Sequence, residues 1–256
     1  MESFGDAMQK TMTRIQKEHG ITPINVDEVI KQRDERERLK SAEFTQVFIN
    51  QERKRMFNSS LISDWDDLKQ NFDEFKVNDQ LQFNELQKAQ NIAQRIATGE
   101  LGNFTFSGIA GAGKTMLAIS ILNYINNRNV KLKCLFVSVA MLMDLETASF
   151  NGSDGGDARK MEKCIRNCDV LVLDDLGSES TLQSSDPGKL VPQSKDYVQR
   201  ALFRICDSRK SKTNIVTTNN TSSEIQRIYN SKIYSRLIAK KKENVIVFNS
   251  KDMRNI

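Results

Sequence analysis

The sequence predicts an α/β fold, a doubly wound parallel sheet, preceded by a small helical N-terminal module. Three observations predict it. Apolar runs of strand length alternate with helical patterns along residues 83–256, the order that arises when helices join parallel strands. A glycine-rich loop separates an apolar run from a helical pattern at 103–126. A second apolar run ends in two adjacent aspartates at 169–175.

The glycine-rich loop has the spacing and the context of a phosphate-binding P-loop. We predict that it binds nucleotide through Gly108, Ile109, Ala110, Gly111, Ala112, Gly113, Lys114, Thr115 and Met116. Glycines let backbone N–H groups approach phosphates, and the start of the next helix adds a favourable dipole. Lys114 is expected to reach the β- and γ-phosphates as a catalytic residue, and the Thr115 hydroxyl to ligate Mg²⁺.

The second motif, DVLVLDDLG at 169–177, is an apolar strand that ends in two carboxylates. Asp174 is predicted to hold Mg²⁺, and Asp175 to orient and deprotonate the attacking water. The alternative is a strand that merely ends in a polar turn. The P-loop about 60 residues upstream disfavours that alternative and indicates a domain that hydrolyses ATP or GTP.

Three further residues could complete this site. Asn219 follows the strand-like run 214–218, where its amide could sense the γ-phosphate, although asparagine at a strand end is often only a turn or cap residue. Arg236 lies on a short helix that could reach the nucleotide of a neighbouring subunit. Arg254 follows the last predicted strand and could reach a nucleotide in its own subunit. A solvated basic tail is the alternative for both arginines.

Residues 1–62 are polar and helical in pattern, with Met8, Met12 and Ile15 on one stripe. They are predicted to form either a solvated helical face or a module that binds a partner protein. Residues 63–82 are a connector whose aromatic residues, Trp65, Phe72 and Phe75, either anchor the core or stack on a base; core packing is favoured. Residues 83–256 form the ATPase domain, in which 178–194 is expected to be an irregular loop.

The amino-acid composition limits the kinds of catalysis that the chain can support. The chain has 256 residues, a net charge of +5, four cysteines and one histidine. A single histidine disfavours serine- or cysteine-type nucleophilic catalysis, so carboxylates, lysine, arginine and a metal must supply the chemistry. No segment resembles a membrane span or a secretory signal, which predicts a cytoplasmic protein without a membrane partner.

The motifs GIAGAGKT, DVLVLDDLG, NIVTTNN, YSRL and VIVFNSKDMR together resemble the bacterial and phage replicative helicase loaders. These are the DnaC/DnaI group of AAA+ ATPases, related to the transposition ATPase IstB. The resemblance covers roughly 57–256. It implies ATP and Mg²⁺ as cofactors, and as partners a hexameric replicative helicase, single-stranded DNA and further copies of the chain. In its terms Asn219 is sensor I, Arg236 the arginine finger in trans, and Arg254 the sensor II candidate.

Three functions are compatible with these motifs. The first is an ATP-dependent helicase loader, the second an IstB-like transposition ATPase, and the third a P-loop small-molecule kinase. The cysteine-rich zinc module of some loaders is not expected, since residues 1–133 contain no cysteine. Lys160, Lys163 and Arg166 are candidates for contact with DNA, and a solvated helix face is an equal alternative.

Overall fold

The computed structural model describes residues 4–20, 26–128, 130–150, 155–186, 189–193, 195–250 and 252. The chain forms two compact units, residues 1–49 and residues 50–256. The first contains helix α1 (Phe4–Glu18) and most of helix α2 (Val26–Phe57). The unit boundary therefore falls inside α2, N-terminal to the boundary that the sequence placed after residue 62.

Residues 50–62 group with the second unit because their contacts lie there. The buried Arg53 side chain donates from Nη2 to the carbonyl oxygens of Ile125 and Asn126, at 2.9 and 3.0 Å. These carbonyls end helix α4 (Lys114–Asn126), and the C-terminal end of a helix favours a cation. Leu61 donates its N–H to the carbonyl oxygen of Phe136 at 2.9 Å, beside the sheet.

The sheet of the second unit has five parallel strands in the order β2-β3-β6-β1-β7. They are β1 (Asn103–Gly108), β2 (Cys134–Ser138), β3 (Val170–Asp174), β6 (Thr213–Thr218) and β7 (Val245–Phe248). Strand β1, which carries the P-loop, and β3, which carries the aspartate pair, flank β6. This topology confirms the predicted doubly wound parallel sheet.

Helices cover both faces of that sheet. Helix α3 (Gln80–Ala97) and α4 pack on one face. The other face is covered by α5 (Val139–Phe150), α6 (Gly156–Asn167), α7 (Asp196–Ser208), α8 (Ser222–Ile228) and α9 (Ser231–Leu237). Within β3, Val170 and Val172 face the first layer while Leu171 and Leu173 face the second. Burial on both sides favours a near-continuous apolar run, as in Val170–Leu173 of this strand.

The prediction of an irregular loop over 178–194 was wrong. The backbone there forms strands β4 (Thr181–Asp186) and β5 (Lys189–Gln193), which pair antiparallel with each other as a separate two-stranded sheet. The segment is polar and has a proline inside β5, so neither alternation nor composition indicates a strand. Pairing between the two strands supplies the hydrogen bonds that local sequence cannot show.

The N-terminal unit exposes its apolar side chains. On α1, Met8, Met12 and Ile15 remain 58%, 57% and 46% exposed. On α2, Phe44 and Phe48 are likewise exposed. Among the helices that the structure describes, none has the length and apolarity needed to cross a lipid bilayer.

Candidate nucleotide-binding site

The P-loop adopts the conformation that its glycines permit. Gly108, Gly111 and Gly113 have φ values of 145°, 77° and 87°, in the left-handed half of backbone space. Two of them are also enclosed. A Cβ atom on Gly108 would lie 2.2 Å from the Phe248 carbonyl oxygen, and one on Gly111 would lie 1.9 Å from Asp252 Oδ1. A side chain at Gly108 would therefore press on the backbone at the end of β7, and one at Gly111 would press on the Asp252 side chain.

Lys114 is the first residue of α4 and is buried. Its Nζ donates to the carbonyl oxygens of Gly108 and Ile109, at 2.9 and 2.6 Å, and to Asn219 Oδ1 at 2.8 Å. The Asn219 amide nitrogen in turn donates to Asp175 Oδ1 at 2.8 Å. Asn219 therefore links the P-loop lysine to the second aspartate, a contact that makes it more than a strand-end turn residue.

Asp174 is the acceptor for two hydroxyls. Thr115 Oγ1 and Thr217 Oγ1 donate to the same Asp174 oxygen, at 2.8 and 2.7 Å. Burial raises the pKa of the Asp174 carboxyl, and the hydrogen bonds from Thr217 and Thr115 oppose that shift. Thr217 was not predicted as a site residue. The register Leu173↔Val216 places it beside the aspartate pair, and its Oγ1 also accepts the Asp175 N–H at 2.8 Å.

Asp175 has a φ of 58°, and it is the one non-glycine residue with positive φ in the described parts of the chain. Asparagine and aspartate tolerate this region better than other side chains do. The turn that follows is held by a hydrogen bond from the Leu176 N–H to the Thr217 carbonyl oxygen at 2.9 Å. This conformation directs the carboxylate of Asp175 toward Asn219 and the P-loop.

These side chains line an open cleft of about 570 Å³. Its predicted members are Ala110, Gly111, Gly113, Lys114, Thr115, Met116, Asp174, Asp175 and Asn219. Ala112 is fully buried, and Ile109 is 54% exposed. The opposite wall comes from the connector and was not predicted: Asp67, Gln70, Glu74 and Lys76. Short polar segments carry no periodic signal, so only the tertiary structure places them there.

The connector aromatics do not line this cleft. Phe75 is buried in the core, and Phe72 packs edge-on against Tyr124 with ring centroids 6.2 Å apart. Trp65 is 51% exposed. Core packing, the favoured interpretation, therefore holds for Phe72 and Phe75 and not for Trp65.

Arg236 lies near the amino-terminal end of β1, at the opposite end of the sheet from the P-loop. Its carbonyl oxygen accepts a hydrogen bond from Asn103 Nδ2 at 2.5 Å, at the first residue of β1, whereas the P-loop follows the last. A strand rises ~3.3 Å per residue, so the length of β1 separates this point from the P-loop by roughly 16 Å. The structure thus keeps Arg236 away from the nucleotide site of its own chain. Arg254 lies outside the described residues.

The basic residues of α6 are exposed and partly paired. Lys160 forms an ion pair with Asp157 at 3.0 Å, and Arg166 forms one with Glu162 at 3.5 Å. The helix therefore presents mixed charge rather than a purely basic face.

Replacing Asp174 with asparagine should stabilise the free protein. Asparagine keeps an oxygen that both hydroxyls can use, and it removes a buried charge that is costly without a cation. We expect the Tm at neutral pH, without nucleotide or divalent cations, to rise by about 2–4 °C, the shift that corresponds to roughly 1 kcal/mol in a chain of this size.

This gain should fade at acidic pH, because the raised pKa means that the folded protein protonates Asp174 there and no longer buries a charge. Calorimetry of Asp174→Asn across pH measures both effects. Asp157→Asn, which removes an exposed carboxylate, serves as the control. A lower Tm for Asp174→Asn at neutral pH would contradict the prediction.

Comparison with known proteins places this cleft in a family. Residues 25–232 match the family described as IstB-like ATP binding protein. The replicative helicase loader DnaC of Escherichia coli K12 is 26% identical over 248 residues, which cover 93% of this chain and 90% of DnaC.

Two solved structures share the fold. The crystal structure of the DnaC helicase loader has a TM-score of 0.54 at 24% identity, covering 72% of this chain and 99% of that one. The structure of DnaI has a TM-score of 0.56 at 19% identity, covering 75% and 95%. Since the family match spans most of the chain and includes the whole P-loop and aspartate-pair cleft, the protein belongs to the family of IstB-like ATP-binding proteins.

Proposed function

We propose that this protein is an ATP-dependent loader that places a hexameric replicative helicase on single-stranded DNA when replication begins. The observation that carries the proposal is the extent of the similarity to DnaC. Coverage of 93% leaves about 18 of the 256 residues unmatched, so the similarity reaches into the N-terminal unit and is not confined to the ATPase core. That unit exposes the apolar stripe of Met8, Met12 and Ile15, which suits a docking surface.

The cleft suits a nucleotide with Mg²⁺. Magnesium favours oxygen ligands and is commonly held by one or two side chains together with substrate phosphates. Thr115 Oγ1 and Asp174 Oδ1 are oxygens 2.8 Å apart beside the P-loop, and they would hold the ion. When bound, Mg²⁺ offsets the negative charge on the phosphates. The buried carboxylate of Asp174, which two hydroxyls already stabilise, fits that cation.

The remaining residues have separate roles in hydrolysis. The Lys114 ammonium neutralises charge on the β- and γ-phosphates. Asp175 accepts the proton of the attacking water, and the Asn219 amide, which donates to Asp175, holds that carboxylate in place. Asn219 would also sense the γ-phosphate. Arg236 cannot reach this site from within its own chain, so it acts on the nucleotide of a neighbouring copy. Arg254, beyond the described residues, is proposed to reach the nucleotide in its own subunit.

The proposal includes self-association and DNA binding. A site completed by a neighbour makes turnover depend on self-association, and we expect single-stranded DNA to promote that association. Lys160, Lys163 and Arg166 on α6 are the proposed DNA contacts. As a helicase loader the protein would act in the cytoplasm.

The family match favours a second function, an IstB-like transposition ATPase. Such a protein would polymerise on duplex DNA and bind a transposase, whereas a loader prefers single strands and binds a helicase. The preferred strand type in DNA binding therefore separates the two. A small-molecule kinase, the third alternative, would phosphorylate an acceptor without any effect of DNA.

The experiment that tests helicase loading uses the full chain with Met8, Met12 and Ile15 all replaced by glutamine. The partner is the hexameric replicative helicase of the same organism. Burial of one such side chain contributes roughly 1.5–3 kcal/mol, so we expect the triple variant to weaken helicase binding by at least about 10-fold in calorimetric titration. Loading onto a closed single-stranded DNA circle, which a hexameric ring cannot thread, should fall in parallel.

The matched control carries Asp6, Thr13 and Lys17 replaced by alanine, which alters the polar side of the same helix and leaves the net charge unchanged. It should bind and load as the unaltered chain does, and both variants should retain the far-ultraviolet circular dichroism of the parent. Equal binding by the parent and the glutamine variant would remove α1 as the docking surface. Absence of helicase binding by the parent would overturn the loader proposal.

A further inference from the structure

Arg236 does not extend freely from α9. Its Nη1 lies 3.2 Å from Asp207 Oδ1, and its guanidinium carbon lies 4.8 Å from the centroid of the Phe203 ring. Phe203 and Asp207 are four residues apart on α7, which places both on the same face of that helix. Both contacts come from α7, so together they hold the guanidinium against that helix.

The edge of the guanidinium that contacts Asp207 is buried in the protein. Nη1 is buried and has no hydrogen bond of suitable geometry, so its contact with Asp207 is an ion pair alone. The side chain as a whole remains 30% exposed. An arginine has five N–H donors, and those on the other edge stay free of this ion pair. The arrangement presents part of a cation to solvent in a fixed orientation.

The surroundings suit an anion. Arg236 borders a small cleft of about 280 Å³ at the amino-terminal edge of the sheet, together with Arg209, Lys210 and Lys212. Arg209 is buried and donates to backbone carbonyl oxygens, so it has a structural role. Lys210 pairs with Asp207 at 2.7 Å. The Asp207 carboxylate therefore holds two cations, Arg236 and Lys210, beside one cleft.

We propose that Asp207 is a positioning residue that aims the Arg236 guanidinium at the terminal phosphate of an ATP molecule bound by a second copy of the chain. The inference rests on the proposed function, in which Arg236 acts in trans. Arginine has many rotamers, and fixing one of them costs conformational entropy. The Asp207 and Phe203 contacts reduce that cost before the neighbouring copy arrives.

The alternative is that Asp207 sequesters Arg236 and must release it. The sizes of the two effects favour the positioning role. An ion pair between partly exposed side chains, here 30% and 47% exposed, changes an equilibrium by about fivefold or less, whereas an arginine finger changes turnover by roughly 10³-fold or more. An interaction that weak can orient the side chain but cannot hold it back from the phosphate.

The test compares Asp207→Asn, Asp207→Glu, Arg236→Ala and the double variant Asp207→Asn/Arg236→Ala, each as the full chain at saturating protein and single-stranded DNA. We expect Asp207→Asn to lower kcat by about 3- to 5-fold, the upper range for such an ion pair, with KM for ATP unchanged, as expected when only transition-state stabilisation is lost. Asp207→Glu, which restores a carboxylate, should recover most of that loss. In the Arg236→Ala background, Asp207→Asn should have no further effect.

Asp34→Asn is the matched control, because Asp34 is an exposed aspartate paired with an arginine at 3.0 Å in the N-terminal unit. It should leave kcat within about twofold, because its partner is Arg33 rather than Arg236 and many exposed ion pairs contribute little. An unchanged or raised kcat for Asp207→Asn would overturn the positioning role, as would an equal loss with and without Arg236. If Arg236→Ala itself left turnover unchanged, the shared-site proposal would fail instead, so the two failures are distinguishable.

Discussion

Replacement of Arg236 by alanine is expected to lower ATP turnover per subunit in the assembled protein by about 10³-fold. The affinity of a single chain for ATP should not change, because Arg236 lies at the amino-terminal end of β1, away from the P-loop of its own chain. For the unaltered chain, turnover per subunit should rise with protein concentration and with single-stranded DNA. The measurement is a steady-state ATPase assay over a range of protein concentrations, with and without DNA.

Arg227→Ala, on the adjacent helix α8, controls for the loss of a surface arginine and should keep the concentration dependence. If turnover by the unaltered chain were indifferent to concentration, to DNA and to Arg236, the active site would be self-contained. The arginine-finger assignment would then be abandoned, and the small-molecule kinase would become the leading alternative.

Asparagine at position 175 should reduce ATP hydrolysis by about 10²- to 10⁴-fold, since the amide cannot accept the proton of the attacking water. ATP should still bind. Asparagine has the shape of aspartate, so it can keep the contact with Asn219, and it tolerates the φ of 58° at this position. Single-turnover hydrolysis and binding of a fluorescent ATP analogue separate the two effects.

The comparison with Asp175→Ala tests the backbone argument. Alanine lacks the local hydrogen bonds that ease a left-handed conformation, so that variant should also lose stability in thermal unfolding. Asp64→Asn, at an exposed aspartate of the connector, is the control for charge. A rate for Asp175→Asn close to that of the unaltered chain would show that another group activates the water.

Part of the site followed from the sequence alone. The P-loop and the aspartate pair are contiguous stretches, so their chemistry can be recognised from residues that are neighbours in the chain. Glycine at 108, 111 and 113 itself indicates the positive φ angles that the P-loop needs. The doubly wound sheet also followed, because a strand buried on both faces, such as β3, tends to be a near-continuous apolar run.

The rest depended on the tertiary structure. Strand register brings Thr217 to Asp174 and Asn219 between Lys114 and Asp175, and no local pattern contains that register. The grouping of Arg53 with the ATPase unit, the hairpin of β4 and β5, and the connector wall of the cleft likewise arise from contacts between distant segments.

The pairing of Arg236 with Asp207 is the clearest case. Arg236 was a candidate from its motif, but nothing in the sequence marks Asp207 as its partner, and 28 residues separate the two along the chain. The packing of α9 against α7 brings the charges together and faces Arg236 away from its own nucleotide site. Sequence periodicity reports which face of a helix is buried, whereas the partner of a charge is decided only when two helices pack.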